Sequence, residues 1–202
     1  MPFDGVMALH ELVGLRGRIP RFLVHPGLTK FPFFHDFITK LGGVPACREN
    51  AERILRRGEI LGVFPEGVRG AFSMYRDAYR LKKFGRLEFV RLAIRHRAPI
   101  LPFVTVGSAE AFPILGKIES SWWRRHAEWP FIPLTPTFPW FPVPLPSKWR
   151  TRYLEPIHVE RTHPPEAAAD PVAVREIGRL VRQRMQSAID QLLARRKSIL
   201  FG

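Results

Sequence analysis

Short apolar runs alternate with amphipathic stretches along the chain, and prolines and glycines separate them. The apolar runs at about residues 21–24, 60–64 and 99–106 have the length and composition of buried strands. The stretches between them repeat apolar residues at helical spacing. Strands that alternate with helices form mostly parallel sheets covered by helices. The pattern therefore predicts an α/β fold with a mostly parallel central sheet.

The helical stretches are bounded by the residues that begin and end helices. Asn50 or Glu49 is placed to open one of them after an extended piece that ends at Arg48, and Gly58 closes it; the glycine pair Gly42-Gly43 closes the helix before it. The predicted helices cover about residues 6–15, 32–41, 49–57, 86–97 and 171–197.

Charge and cysteine content limit the kinds of partner. The 202 residues carry a net charge of +14, so we expect an anionic partner: nucleic acid, an anionic membrane face, or a phosphorylated or CoA-like substrate. The single cysteine, Cys47, excludes an internal disulfide and gives no support to a thiolate metal site. The first residues lack the pattern of a signal peptide, and no stretch offers the roughly 20 apolar helical residues of a membrane span.

Residues 129–147 carry no charge and contain seven prolines. This proline density excludes a membrane-spanning helix. The segment is interpreted either as a proline-stiffened loop around the core or as an aromatic wedge for a lipid interface. The wedge would consist of Phe131, Phe138, Trp140 and Phe141.

The last predicted helix is amphipathic. Its apolar stripe consists of Ile177, Val181, Met185, Ala188 and Leu192. Its other face is basic, and is expected either to be solvated or to contact an anionic membrane. The basic residues are Arg175, Arg179, Arg182, Arg184, Arg195, Arg196 and Lys197.

The stretch GVFPEGVRG, residues 62–70, places Glu66 and Arg69 in a glycine-flanked turn directly after an apolar run. Such a turn lets a backbone approach a ligand closely. The alternative is an ordinary strand-to-loop turn with one surface ion pair.

Four blocks in the chain resemble those of the glycerolipid acyltransferases, the phospholipid/glycerol acyltransferase superfamily. FPEGVRG is similar to the family's phosphate-binding block, usually written F-P-E-G-T-R-S. The other blocks are LGGVPACR before it, and LKKFG and APILPF after it. The resemblance covers about residues 4–112 and implies a glycerol-acyltransferase-like fold. We expect an acyltransferase domain over 1–112, a Pro/aromatic-rich extension over 113–170 that packs on it, and a basic helix over 171–202.

The resemblance implies transfer of a fatty acyl group from acyl-CoA or acyl carrier protein to a glycerolipid hydroxyl, in phospholipid or neutral-lipid synthesis, without a cofactor. Arg48 and Arg69 would hold a phosphate or polar headgroup. Glu66 would orient Arg69 or the acceptor hydroxyl, and Gly67 would let the backbone approach. The substrate-binding set implied by the resemblance is Arg48, Phe64, Pro65, Glu66, Gly67 and Arg69.

The chain departs from the family pattern in two places. Val68 and Gly70 replace the usual Thr and Ser, which puts a phosphorylated acceptor in doubt and is similar to the branch that esterifies neutral lipids. The family's catalytic His-x4-Asp block is matched only at its aspartate, Asp4. The resemblance therefore implies a histidine upstream of Met1, which we expect to be a late start. Asp4 as an ordinary helix N-cap is the alternative.

The expected partners are an anionic membrane surface, a lipid acceptor and an anionic acyl donor, with the protein cytoplasmic and peripheral on the inner face of a membrane. A basic stretch after the central block is a candidate surface for the donor, or a solvated face. Its residues are Arg76, Arg80, Lys82, Lys83 and Arg86. One alternative is an inactive, membrane-binding remnant. A nucleic-acid-binding protein is disfavoured because the richest aromatic stretch is uncharged.

Overall fold

The structure is a computed structural model that describes residues 20–26, 32–67, 70, 73–119, 131–137 and 144–199. The helix predicted over 6–15 lies outside these residues. The described strands are β1 Arg21–Val24, β2 Gly43–Pro45, β3 Leu61–Gly62, β4 Phe103–Val106, β5 Gly116–Ile118, β6 Ile132–Leu134 and β7 Arg150–Tyr153. The helices are α1 Pro32–Lys40, α2 Arg48–Arg56, α3 Glu88–Arg95, α4 Ser108–Ala111, α5 Val159–Thr162 and α6 Pro171–Ala194.

β1 is the middle strand of a three-stranded parallel sheet with the order β2-β1-β3. Phe22 is aligned with Gly43 of β2 on one side and with Gly62 of β3 on the other. Helical connections between the strands make this parallel arrangement possible, because each strand must return to the same end of the sheet. The predicted α/β class with a parallel sheet is confirmed.

Several predicted boundaries differ from the structure, and two of them lie at β3 and at α2. The strand predicted over Ile60–Phe64 is only Leu61–Gly62, because the backbone leaves the sheet for a turn in which Gly67 N donates to Phe64 O at 2.9 Å. The helix predicted from residue 49 or 50 already begins at Arg48, after Cys47 in an extended conformation. Asn50 does not cap this helix; its Nδ2 donates to Pro45 O at 2.9 Å.

The apolar run at 99–106 forms a shorter strand than predicted, and its partner runs in the opposite direction. Pro99 and Pro102 have no N–H to donate, so the regular strand begins at Phe103, and Ile100 forms only an isolated bridge to Ile157. β4 pairs antiparallel with β7.

The main core lies between α3, α6 and the segment that contains α5. Val90 and Ile94 of α3 are fully buried, and Val174 and Val181 of α6 pack in the same cluster. This cluster contains residues from all three predicted segments of the chain, whose division stays a prediction. The buried residues of the cluster are Phe84, Val90, Ala93, Ile94, Ile157, Val159, Ala168, Val174, Ile177 and Val181.

α6 confirms the predicted amphipathic C-terminal helix. The side chain of Asp170 accepts a hydrogen bond from Val172 N at 2.8 Å and caps the helix start. Arg196 corrects the predicted basic face. It follows the helix, which ends at Ala194 rather than near residue 197, and its side chain forms an ion pair with Glu110, with 8% of each side chain exposed. The pairing residue lies on α4, so no periodicity within α6 could reveal it.

Part of the proline-rich segment belongs to the core. Phe131 is only 7% exposed, and Lys117 Nζ lies 4.3 Å from the centre of its ring. Its place in an aromatic wedge for lipid was therefore wrong; Phe138, Trp140 and Phe141 lie outside the described residues. Within the described ranges, no helix combines the length and apolar composition needed to cross a bilayer.

Candidate functional site

Three loops leave the parallel sheet at its carboxyl edge, and two of them contain predicted site residues. β2 leads through Cys47 to Arg48, and β3 leads to Phe64, Pro65, Glu66 and Gly67. Because β1 lies between them and neighbouring strands are about 4.8 Å apart, the two loops start about 10 Å from each other. Ligands of open α/β sheets bind at this edge.

His25 follows β1 and begins the loop between those two. It is exposed. No aspartate follows it at the distance that the family's His-x4-Asp block requires, since residue 30 is a lysine. The position of His25 directly after the central strand could have indicated, from the sequence, that it lies at the carboxyl edge of the sheet.

Phe64 anchors the turn after β3. Its ring stacks on Phe22 at 5.9 Å with an interplanar angle of 23°, and meets Phe103 edge-on at 6.1 Å and 78°. These contacts join the parallel sheet to β4. The side of Phe64 away from them is accessible, with 40% of the residue exposed.

Gly67 has the backbone conformation that the turn requires. Its φ of +57° lies in the left-handed region, which side chains with a Cβ disfavour. Among the described residues, no heavy atom outside the adjoining backbone would lie within 4 Å of a Cβ added there. The glycine is therefore explained by its backbone conformation.

Glu66 is held by a contact with a backbone amide from another block of the chain. Its Oε1 accepts a hydrogen bond from the backbone N–H of Lys82 at 2.5 Å. Burial raises the pKa of the Glu66 carboxyl, opposed by this hydrogen bond and by the positive charge of Lys82. Lys82 belongs to the block LKKFG, so two of the blocks that carry the family resemblance meet here. A backbone donor leaves no mark in residue identity, which is why the contact was missed.

Gly70 fits this placement of Glu66. A Cβ at residue 70 would lie 2.6 Å from Glu66 Oε2 and in severe overlap with Glu66 Cβ. A serine here would therefore require Glu66 or the turn to move. Gly70, which replaces the usual serine of the family block, therefore leaves room for the Glu66 carboxylate at its observed position.

Arg48 is oriented by its own helix. Its Nε donates to Glu52 Oε1 at 2.9 Å, and Glu52 Oε2 accepts from Arg56 at 3.0 Å. The hydrogen bond to Glu52 raises the pKa of Arg48, which stays charged. No described residue accepts a hydrogen bond from its terminal nitrogens, which leaves them suited to bind an anionic or polar headgroup.

The remaining predicted site residues divide into two groups. Asp4 and Arg69 lie outside the described residues. The residues of the basic stretch are all exposed, at positions 76, 80, 82, 83 and 86. Within the part of the chain that is described, His, Cys, Asp and Glu side chains form no group of three or more that could hold a metal ion.

Comparisons with known proteins agree with the predicted family. The family model described as Acyltransferase matches residues 1–106. An uncharacterized protein of Mycobacterium leprae is 37% identical over 209 aligned positions, covering 100% of this chain and 56% of that protein. No solved structure matches significantly.

Other relatives have names that state an activity. A Gallus gallus protein named DGAT1/2-independent enzyme synthesizing storage lipids is 30% identical over 77% of this chain and 45% of its own length. Human 2-acylglycerol O-acyltransferase 3 is 30% identical over 54% of this chain and 32% of its own. The chain thus spans about half the length, or less, of the curated relatives it matches. With its blocks in order and the family match over residues 1–106, the chain belongs to the acyltransferase family.

Proposed function

We propose that the chain transfers a fatty acyl group from acyl-CoA or acyl carrier protein to a hydroxyl of a glycerolipid. The observation that carries the proposal is the placement of Arg48 and the Phe64–Gly67 turn at one edge of the parallel sheet, inside the matched region 1–106. The names of the two relatives support a lipid acceptor.

In the proposed reaction the acceptor hydroxyl oxygen attacks the carbonyl carbon of the acyl thioester. A C–O bond forms, the C–S bond breaks, and the proton of the hydroxyl ends on the thiol that leaves. By resemblance to the family, the histidine of the His-x4-Asp block carries this proton, and Asp4 fixes its tautomer and supports its positive charge. The transfer is direct, without a covalent enzyme intermediate.

The described residues supply binding and orientation. Arg48, with Arg69 by resemblance, holds the polar part of the acceptor through charge-assisted hydrogen bonds. Glu66, fixed by the Lys82 amide, has a second carboxylate oxygen to orient the acceptor hydroxyl or Arg69. The exposed part of Phe64 offers an apolar surface beside them.

A neutral acylglycerol is the acceptor that we propose first. Val68 replaces the usual threonine of the family block, and the relatives are named for storage lipids and for 2-acylglycerol. Lysophosphatidic acid is the comparison substrate, because the two arginines of the site also suit a phosphate.

We further propose that the protein works in the cytoplasm as a peripheral protein on an anionic membrane surface. The net charge of +14 and the exposed arginines of α6 support this. Vesicles with and without anionic lipid test it by flotation. Equal recovery with both kinds of vesicle at physiological salt contradicts it.

The activity test uses labelled long-chain acyl-CoA with monoacylglycerol, diacylglycerol or lysophosphatidic acid in vesicles, and the natural protein purified from its own cell. We expect labelled product from a neutral acceptor, and a fall of about 100-fold in kcat/KM for Arg69→Ala and for Glu66→Gln. Vesicle binding should not change. Glu59→Gln is the matched control, because Glu59 precedes β3 at the opposite edge of the sheet and pairs with Arg21.

Unchanged turnover in both variants would remove the turn from the site. Mass and N-terminal peptide analysis of the same preparation tests for a histidine before Pro2. If the natural protein begins at Met1 and shows no transfer while binding vesicles, the membrane-binding remnant replaces the enzyme.

A further inference from the structure

The carboxylate of Glu66 is connected to the C-terminal helix through one short piece of backbone. This piece, residues 79–82, is called the strap. Lys82 N donates to Glu66 Oε1 at 2.5 Å at one end of the strap. Three further hydrogen bonds to the backbone of the strap come from α6, which lies outside the matched region 1–106.

Gln186 of α6 binds the strap with both ends of its amide group. Its Nε2 donates to Tyr79 O at 3.0 Å, and its Oε1 accepts from Leu81 N at 2.8 Å. Asp190, one turn further along the helix, accepts a second hydrogen bond from Nε2 at 2.9 Å. The amide is therefore fixed in one orientation, with donor and acceptor both used on the strap.

The peptide group between Leu81 and Lys82 is held from both sides. Its N–H is the donor to Glu66, and its carbonyl oxygen accepts from Arg182 Nη1 at 3.5 Å. Arg182 and Gln186 are four residues apart on α6, so they lie on the same face of the helix. A rotation of this peptide group would break the contact to Glu66. Arg182 opposes that rotation directly, and Gln186 fixes the two preceding peptide groups, which lie on either side of Arg80.

The beginning of the strap is also anchored. Tyr79 has a φ of +66°, which is unfavourable for a tyrosine. Its hydroxyl donates to Glu110 and accepts from Gly107 N at 2.7 Å. Glu110 in turn pairs with Arg196, which follows α6. The strap is thus held in a strained conformation by partners from α4 and from the C-terminal part of the chain.

From this geometry we infer that Gln186 is a positioning residue for Glu66: it fixes the strap so that the Lys82 amide points at the carboxylate. The catalytic value of that position rests on the proposed function, but the positioning itself does not. Among the described residues, Gln186 has no hydrogen bond to Glu66 or to the loops at the carboxyl edge of the sheet, and its link to Glu66 runs through the strap.

The test measures the Lys82 amide directly. Gln186→Met keeps the length of the side chain and removes its donor and acceptor. We expect hydrogen exchange of the Lys82 amide, followed by NMR on the full chain, to become about 3- to 10-fold faster. Gln183→Met is the matched control, since Gln183 is exposed on the same helix; it should leave the Lys82 amide unchanged.

A double-mutant cycle separates positioning from a general loss of structure. Glu66→Gln weakens the acceptor of the Lys82 amide, so its exchange should also become faster. If Gln186 acts through this contact, Gln186→Met should have a smaller effect in the Glu66→Gln background than in the wild type. Additive effects, or a Lys82 amide that behaves as in the control, would overturn the inference.

Acyl transfer by the same variants tests whether the position of Glu66 matters to the reaction. A fall in kcat for Gln186→Met without an equal rise in KM for the acyl donor shows that the position of Glu66 matters to the reaction. If the wild-type protein transfers no acyl group while the exchange cycle shows coupling, the proposed function fails and the positioning role stands.

Discussion

The parallel sheet and the main core, between α3, α6 and the α5 segment, differ in how deeply their residues are buried. Around the sheet, Phe22, Ala51 and Ile54 are buried, but Phe64 is 40% exposed and the loops at the carboxyl edge are accessible. In the core, Val90 and Ile94 are 0% exposed and pack against α6. Regions that bind ligands are usually drawn from the less stable parts of a protein. The comparison indicates that the core stabilises the molecule and that the sheet edge remains open for binding.

The largest effect on stability is expected from the buried ion pair between Glu110 and Arg196. Arg196→Met leaves Glu110 as a buried carboxylate with no cationic partner, and should lower the free energy of unfolding by about 3–5 kcal/mol. Urea unfolding measures this. Adding Glu110→Gln should recover most of the loss, because the uncompensated charge is then removed. A loss below about 1 kcal/mol would show that the pair is solvated and that the stability of the main core does not depend on it.

A smaller effect is expected at the junction of the two regions. Phe64→Leu removes two aromatic contacts, with Phe22 and Phe103, and should lower the free energy of unfolding by about 1–3 kcal/mol. Phe37→Leu is the control, because Phe37 is 58% exposed on α1.

Hydrogen exchange sharpens the comparison at this junction. If the sheet is the less stable region, Phe64→Leu should speed the exchange of β1 amides more than that of β4 amides. Equal acceleration in the two strands would mean that the sheet and the main core unfold as one unit. The sheet would then not be the less stable region.

The smallest effect concerns the pH dependence of stability that Glu66 contributes. Burial raises the pKa of Glu66 above its unfolded value, so the native state binds more protons than the unfolded state between the two pKa values. The contribution of Glu66 therefore favours folding at low pH, and is lost as pH rises from about 4.3 through the native pKa.

Glu66→Gln removes this titration. Relative to the wild type, the urea midpoint of Glu66→Gln should rise between pH 4 and pH 7, with Glu59→Gln as control. A difference that does not vary with pH would show that Glu66 titrates as if solvated.

The sequence predicted those elements whose determinants are local. Strand β1 was predicted at its observed bounds, Arg21–Val24, since an apolar run is closed by a proline soon after. The C-terminal helix was predicted because its stripe repeats over many turns. The turn at Phe64–Gly67 was found from its glycines and its family block, and its site roles stay predictions.

The missing features depend on contacts between distant residues. Glu110 and Arg196 are 86 residues apart, and the pair is buried only because α4 and the end of α6 meet. The Lys82 amide that binds Glu66 would be the same donor for any residue except proline. The direction of β7 along β4 also depends on the path of the intervening chain.

The pair between Glu110 and Arg196 has a consequence for synthesis of the protein on the ribosome. Glu110 leaves the ribosome 86 residues before its partner, which at about 5–20 residues per second is a delay of about 4–17 s. During that interval neither Glu110 nor the strap beginning at Tyr79 has its final contacts, because the strands of the parallel sheet are synthesised before α6. The nascent chain is therefore exposed to chaperones and proteases until α6 emerges, and the native arrangement of Glu66 is completed only after translation has passed Arg196.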